Sequence, residues 1–79
     1  MEDTLKTTNP YFHMLLHAAF ALAKDGSHPA SANILFIAND YLQDEKFPLR
    51  IRYNMWHDWN RCLQDCKQFK PNPNIQERT

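Results

Sequence analysis

Pro48-Leu-Arg-Ile-Arg-Tyr-Asn-Met-Trp-His-Asp-Trp-Asn-Arg-Cys-Leu-Gln-Asp-Cys-Lys-Gln-Phe69 is the stretch whose reading decides the fold. Ile51, Met55, Trp59, Cys62, Cys66 and Phe69 recur at steps of four, four, three, four and three, one continuous stripe on a 3.6-residue helix. A second row, Leu49, Tyr53, Trp56 and Leu63, lies beside it with Asn60 as its polar interruption. Together the two rows hold more apolar surface than a small domain readily hides. Lys70-Pro71-Asn72-Pro73-Asn74 ends the helix, because Pro71 and Pro73 cannot continue it.

Upstream, Asp44-Glu45-Lys46 forms a polar turn, and Pro48 suits the opening of this third helix. A second helix is expected from about Pro29 to Gln43. Its centre, Ile34-Leu35-Phe36-Ile37-Ala38, is apolar all round, the pattern of an element covered on more than one side. A buried strand would show the same run, but the remaining sequence offers no partner strands. Asn9 and Pro10 signal the start of a first helix, Asn9 as side-chain cap and Pro10 at the first helical position. Phe12, Leu15, Leu16, Ala18, Ala19, Leu22 and Ala23 form its wide apolar stripe. Lys24-Asp25-Gly26 closes it, Gly26 being free to take the left-handed conformation. The connection to Pro29 is so short that helices one and two should pair as an antiparallel hairpin. The expected fold is all-α: a helical hairpin plus a longer third helix, a small three-helix domain over 9–69. A flexible arm (1–8) and a disordered tail (70–79) flank it.

Size and charge narrow the function. A chain of 79 residues makes one domain. Folding at that length removes only ~60–65% of the unfolded chain's exposed surface, so stability is thin unless an oligomer adds to it. Nine basic and nine acidic side chains cancel. Nucleic-acid binders usually show a basic excess, because neutralised phosphates supply much of their affinity, so direct nucleic-acid binding is not expected. The opening Met1-Glu2-Asp3-Thr4-Leu5-Lys6 lacks a secretory layout, and the longest nearly apolar run, Met14 to Ala23, is far short of a membrane span. Cys62 and Cys66, four apart on a helix, sit too far apart at Cβ for an internal disulfide. A reducing cytoplasm is the expected location.

Chemistry-bearing groups are few. His13 and His17 on the first helix and Cys62 and Cys66 on the third could in principle supply a tetrahedral metal site. The spacing matches no zinc-finger pattern, and small core cysteines are the more economical reading. No metal and no cofactor is assigned. Nucleophilic catalysis would need a pocket, a depressed thiol pKa and an orienting group around Cys62 and His57, and their helical spacing points them apart. No enzyme is expected. Arg50 and Arg52 lie in the first turn of the third helix, where cations oppose the helix dipole. They suit an anionic partner unless Asp44 and Glu45 neutralise them. Trp56 and Trp59 are the informative pair, since tryptophan is enriched at binding hot spots and one broad surface can use both. Tyr53, Trp56, Trp59, Arg50, Arg52 and Leu63 are the candidate partner-binding residues, and the surplus apolar face suggests a homodimer or a heteromeric protein contact.

A further likeness rests on particular residues. Leu22 and Gly26 precede Ala32 and Ala38, and Asn54 and Arg61 follow in the register of an Asn-x-x-Trp-x-x-x-Arg-x-x-x-Cys helix. Trp56 comes one residue early and Cys66 one late, unless Cys62 takes the cysteine's role. Over residues 19–66 the chain resembles the small enterobacterial negative regulators of AraC-type activators, the ANR family. The resemblance implies a cytoplasmic regulator that lacks its own DNA-reading helix and binds a transcription activator or a nucleoid-associated protein. Trp56, Trp59 and Arg61 would then be core or contact residues of the motif helix. Two other expectations stand beside it: a phage or mobile-element protein that blocks a host enzyme or nuclease, and a DNA-binding dimer using the Arg50–Arg52 end.

Overall fold

Asn9 caps the first helix, its Oδ1 accepting the Phe12 backbone N–H at 2.9 Å, while its Nδ2 donates to the Tyr41 hydroxyl at 2.8 Å. The computed structural model describes residues 9–71. The expected arm (1–8) and most of the expected tail (72–79) lie outside the described residues. Three helices follow one another: α1 (Pro10–Lys24), α2 (His28–Leu42) and α3 (Leu49–Lys67). No strand occurs among the described residues, and the expected all-α class, hairpin plus longer third helix, is what the chain forms.

Local chemistry sets the turns. Gly26 has φ 87°, its N–H bonds to Ala23 O at 2.9 Å, and the Ser27 N–H reaches back to Leu22 O at 2.8 Å. This pair of bonds is a Schellman closure, which needs a residue tolerant of positive φ between them. The chain reverses there and α2 returns along α1. At the second turn Asp44 Oδ1 accepts the Lys46 N–H at 2.9 Å. Pro48 caps α3 from an extended conformation and is not its first helical residue, a shift of one position from the sequence reading. The pyrrolidine ring fits either place, since neither requires an N–H.

Packing follows a repeat of four, three and four. Phe12, Leu16, Ala19 and Ala23 of α1 face Ser31, Leu35, Ala38 and Leu42 of α2, all buried. Alanines at 19, 23 and 38 let the backbones approach closely, and Ser31 Oγ uses that approach to donate to Ala19 O at 2.8 Å. Each buried leucine contributes roughly 1.5–3 kcal/mol relative to its exposed state. α3 lies across both helices with Met55 and Cys66 buried and Ile51, Trp59, Cys62, Leu63 and Phe69 packed at the edge of the core. The first stripe read from the sequence is therefore its core face. His28 Nε2 lies 2.9 Å from Phe69 O, and the Phe20 and Phe69 rings meet edge to face at 5.4 Å, fixing the far end of α3.

The waist of α2 is covered on two sides, by α1 and α3, as its sequence implies. Leu35 and Ala38 are buried there, but Phe36 and Ile37 face outward, and among the described residues no further element covers them.

Candidate functional site

The geometry separates the two tryptophans. Trp59 is half-buried and its indole N–H donates to Leu35 O at 2.7 Å, locking α3 against α2. Trp56, three residues earlier, is rotated toward solvent and remains 44% exposed. Leu49 and Tyr53, at 74% and 62% exposed, continue the row toward the start of α3. Tyr53, Trp56 and His57 form a small aromatic group, with ring centroids 5.0 Å apart for Tyr53–His57 and 5.8 Å for Trp56–His57.

Leu63 completes the row and joins a shallow groove between α2 and α3 lined by Ala32, Leu35, Phe36, Asn39, Trp59 and Leu63. Phe36, 74% exposed, forms the α2 side of this groove. The structure thus brings Trp59 and Leu63 together with α2 residues absent from the candidate set. Phe36 was missed because every residue around it is apolar, so periodicity gave its direction no weight. Trp56 and Leu63 are seven positions apart and share one flank of α3.

The arginines part company. Arg50 is exposed. Arg52 is half-buried, and its Nε donates to Phe47 O at 3.0 Å, bracing the loop before α3. Arg52 thus ties the start of α3 to the preceding turn, whereas Arg50 makes no such tie. Lys46 stands over the Tyr41 and Phe47 rings, 5.4 and 5.2 Å from their centroids, a second cation drawn into packing.

The cysteines point inward. Cys62 Sγ donates to Leu16 O at 3.5 Å and Cys66 Sγ to Ala19 O at 3.8 Å, while Ser31 Oγ also lies 3.8 Å from Cys66 Sγ. Burial, with smaller contributions from Cys66 and Asp65, pushes the Cys62 thiol up to about 12. It is protonated at neutral pH, which disfavours it as a nucleophile. The His13 and His17 rings lie tilted at 51° with centroids 5.4 Å apart and line a depression with Leu16, Phe20 and Cys62. Cys66 lies beside Ser31 and next to Cys62, whose thiol it helps to raise. Among the described residues, no group of three or more histidine, cysteine, aspartate or glutamate side chains is placed to hold a metal ion. None of the described helices is long and apolar enough to cross a membrane.

In comparisons with known proteins, no protein-family model, no curated protein and no solved structure matches this chain. The reading of function therefore rests on its own residues.

Proposed function

We propose that this chain is a non-enzymatic regulator that acts on a larger protein by contact, through the face formed by Leu49, Tyr53, Trp56 and Leu63 with Phe36 at its edge. The observation behind the reading is the exposure of three of these residues and Phe36 on one side of the molecule. Contiguous apolar surface rimmed by polar groups marks an interaction site more often than chance. Trp56 suits the role of anchor, a large ring with an N–H at its tip. The non-enzymatic part of this reading is supported by the Cys62 thiol, which burial raises and holds protonated.

The regulated protein in this proposal is a transcription activator or a nucleoid-associated protein in the cytoplasm, as the residues shared with the ANR family imply. Balanced charge and the engagement of Arg52 with its own loop favour action through protein rather than DNA. The test is capture from a bacterial lysate with the wild-type chain and with Trp56→Ala, followed by chemical-shift mapping with the purified candidate. Recovery of a transcription protein by the wild type but not by the variant is the expected result. Recovery of a host enzyme or nuclease would favour an inhibitor instead, and DNA affinity that falls steeply with salt would favour a DNA-binding role.

A further inference from the structure

Asn60 interrupts a pattern that the core uses only at Leu63, which packs at its edge. Leu49, Tyr53, Trp56, Asn60, Leu63 and Lys67 follow at steps of four, three, four, three and four, the repeat of a coiled-coil seam. This seam runs the whole length of α3, beside the stripe that packs on α1 and α2, and each of its side chains is exposed or half-buried. Two polar groups at its centre make no hydrogen bond among the described residues: the Asn60 amide and the Trp56 indole N–H. The Trp59 indole, one strip away, has its partner.

We propose that the occupant of this seam is α3 of a second copy of the chain, lying antiparallel about a two-fold axis near residue 58. The proposal rests on the reading of this side as a contact face: the second copy occupies it in the free protein, and a target binds there only by displacing that copy.

The register supports the orientation. An antiparallel copy centred there sets Leu49 opposite the partner's Lys67, Tyr53 opposite the partner's Leu63, and Trp56 opposite the partner's Asn60. The last pairing occurs twice by symmetry and joins two groups that lack partners, indole N–H to amide oxygen. A parallel copy would instead oppose Lys67 to the partner's Lys67, like charges that cost affinity.

Area supports the occupant. Taking full aromatic areas of 150–250 Å², the exposed parts of Phe36, Leu49, Tyr53 and Trp56 amount to about 500 Å². A standard interface buries about 800 Å² per partner, of which the centre is apolar and the rim polar. Asn39, Gln43, Gln64 and Lys67 supply such a rim. The chain's zero net charge adds no long-range repulsion between copies.

Sedimentation of the full chain from low micromolar to several hundred micromolar, with circular dichroism on every variant, tests this directly. A reversible dimer is expected, and Trp56→Ala should raise its dissociation constant roughly thirty-fold or more, the scale of a hot-spot aromatic. Tyr53→Glu, at a more exposed position, should dissociate it with the helical signal intact. In amide NMR spectra the Trp56 indole resonance should move with concentration while that of Trp59 stays. Leu49→Lys should weaken the dimer by roughly three- to ten-fold, and adding Lys67→Glu should restore it, since the two positions face each other only in the antiparallel arrangement.

A monomer throughout the range, a dimer indifferent to both aromatic variants, or failure of the charge pair to restore association would each overturn the proposal. These results are separable from the function reading. A monomer whose Trp56→Ala variant loses its target removes the self-association alone. A dimer as described whose Trp56→Ala variant still captures the target removes the contact-face function alone.

Discussion

Replacing Trp59 with phenylalanine removes the bond from the indole N–H to Leu35 O and leaves a ring that still fills most of the space between α2 and α3. The lost hydrogen bond is worth about 1 kcal/mol net. Leu35 O lies mid-helix and keeps its helical partner, so it is not orphaned and the larger desolvation cost does not apply. The smaller ring forgoes about 20 Å² of buried apolar area at a half-buried site, a further ~0.5 kcal/mol. The total, about 1–2 kcal/mol, is a large share of the stability of a domain this small. It corresponds to a fall in Tm of about 5–12 °C and a drop in the urea midpoint of about 1 M. Trp56→Phe has no such bond to lose and should stay within about 0.5 kcal/mol of the wild type. Both variants are measured by urea unfolding at low micromolar concentration, so that self-association does not enter the comparison. Equal effects at the two positions, or a Trp59→Phe variant as stable as the wild type, would refute the division of roles between the tryptophans.

Gly26→Ala forces a side chain into the positive-φ position that closes α1 and should cost about 1–2 kcal/mol by thermal unfolding, with the helical signal otherwise unchanged. Asn9→Ala removes both the cap on Phe12 and the tie to Tyr41, for a loss of about 1–2 kcal/mol by the same measurement. Cys62 predicts a pH dependence. The unfolded thiol ionises near 9.0 and the folded one near about 12, so between these values the unfolded chain binds fewer protons and is favoured. Stability should be fully present below pH 9 and decline as pH rises above it, and Cys62→Ala should flatten that decline in urea titrations run across the window.

The fold was legible where one residue type meets one backbone requirement. Asn9-Pro10 and Gly26 announce their caps because few residues can hold those positions, and the α3 core stripe is visible because polar residues separate its members. The waist of α2 shows why legibility stops. From Ile34 to Ala38 no polar residue marks a direction, so the run is compatible with any rotation of the helix, and packing on α1 selects Leu35 and Ala38 for the interior. Ser31 is hidden for a related reason. Its burial depends on a bond to Ala19 O across the helix pair, a contact with no local sequence signal. Arg52 likewise reads as a free cation until the loop folds back to place Phe47 O against its Nε.

The candidate face was half legible, and the half that was missed sharpens the argument for a partner. Trp56 and Trp59 are the same residue type on the same helix, and their fates differ only because a three-residue step turns one of them past the edge of α2. Packing accounts for Trp59. It does not account for Leu49 or Phe36, each 74% exposed, or for the outward placement of Tyr53, whose contacts are with His57 on its own helix, ring centroids 5.0 Å apart and hydroxyl 3.3 Å from Nε2. Tyr11, also exposed, differs in meeting a ring of another helix, that of Tyr41, edge to face at 5.0 Å. A polar residue at 49, 53 or 36 would leave the three-helix core as it stands, so the fold alone gives no physical reason for apolar groups there. The proposed dimer supplies a reason: the seam spacing suits a second helix, whose Asn60 amide would meet the Trp56 indole N–H at the same repeat.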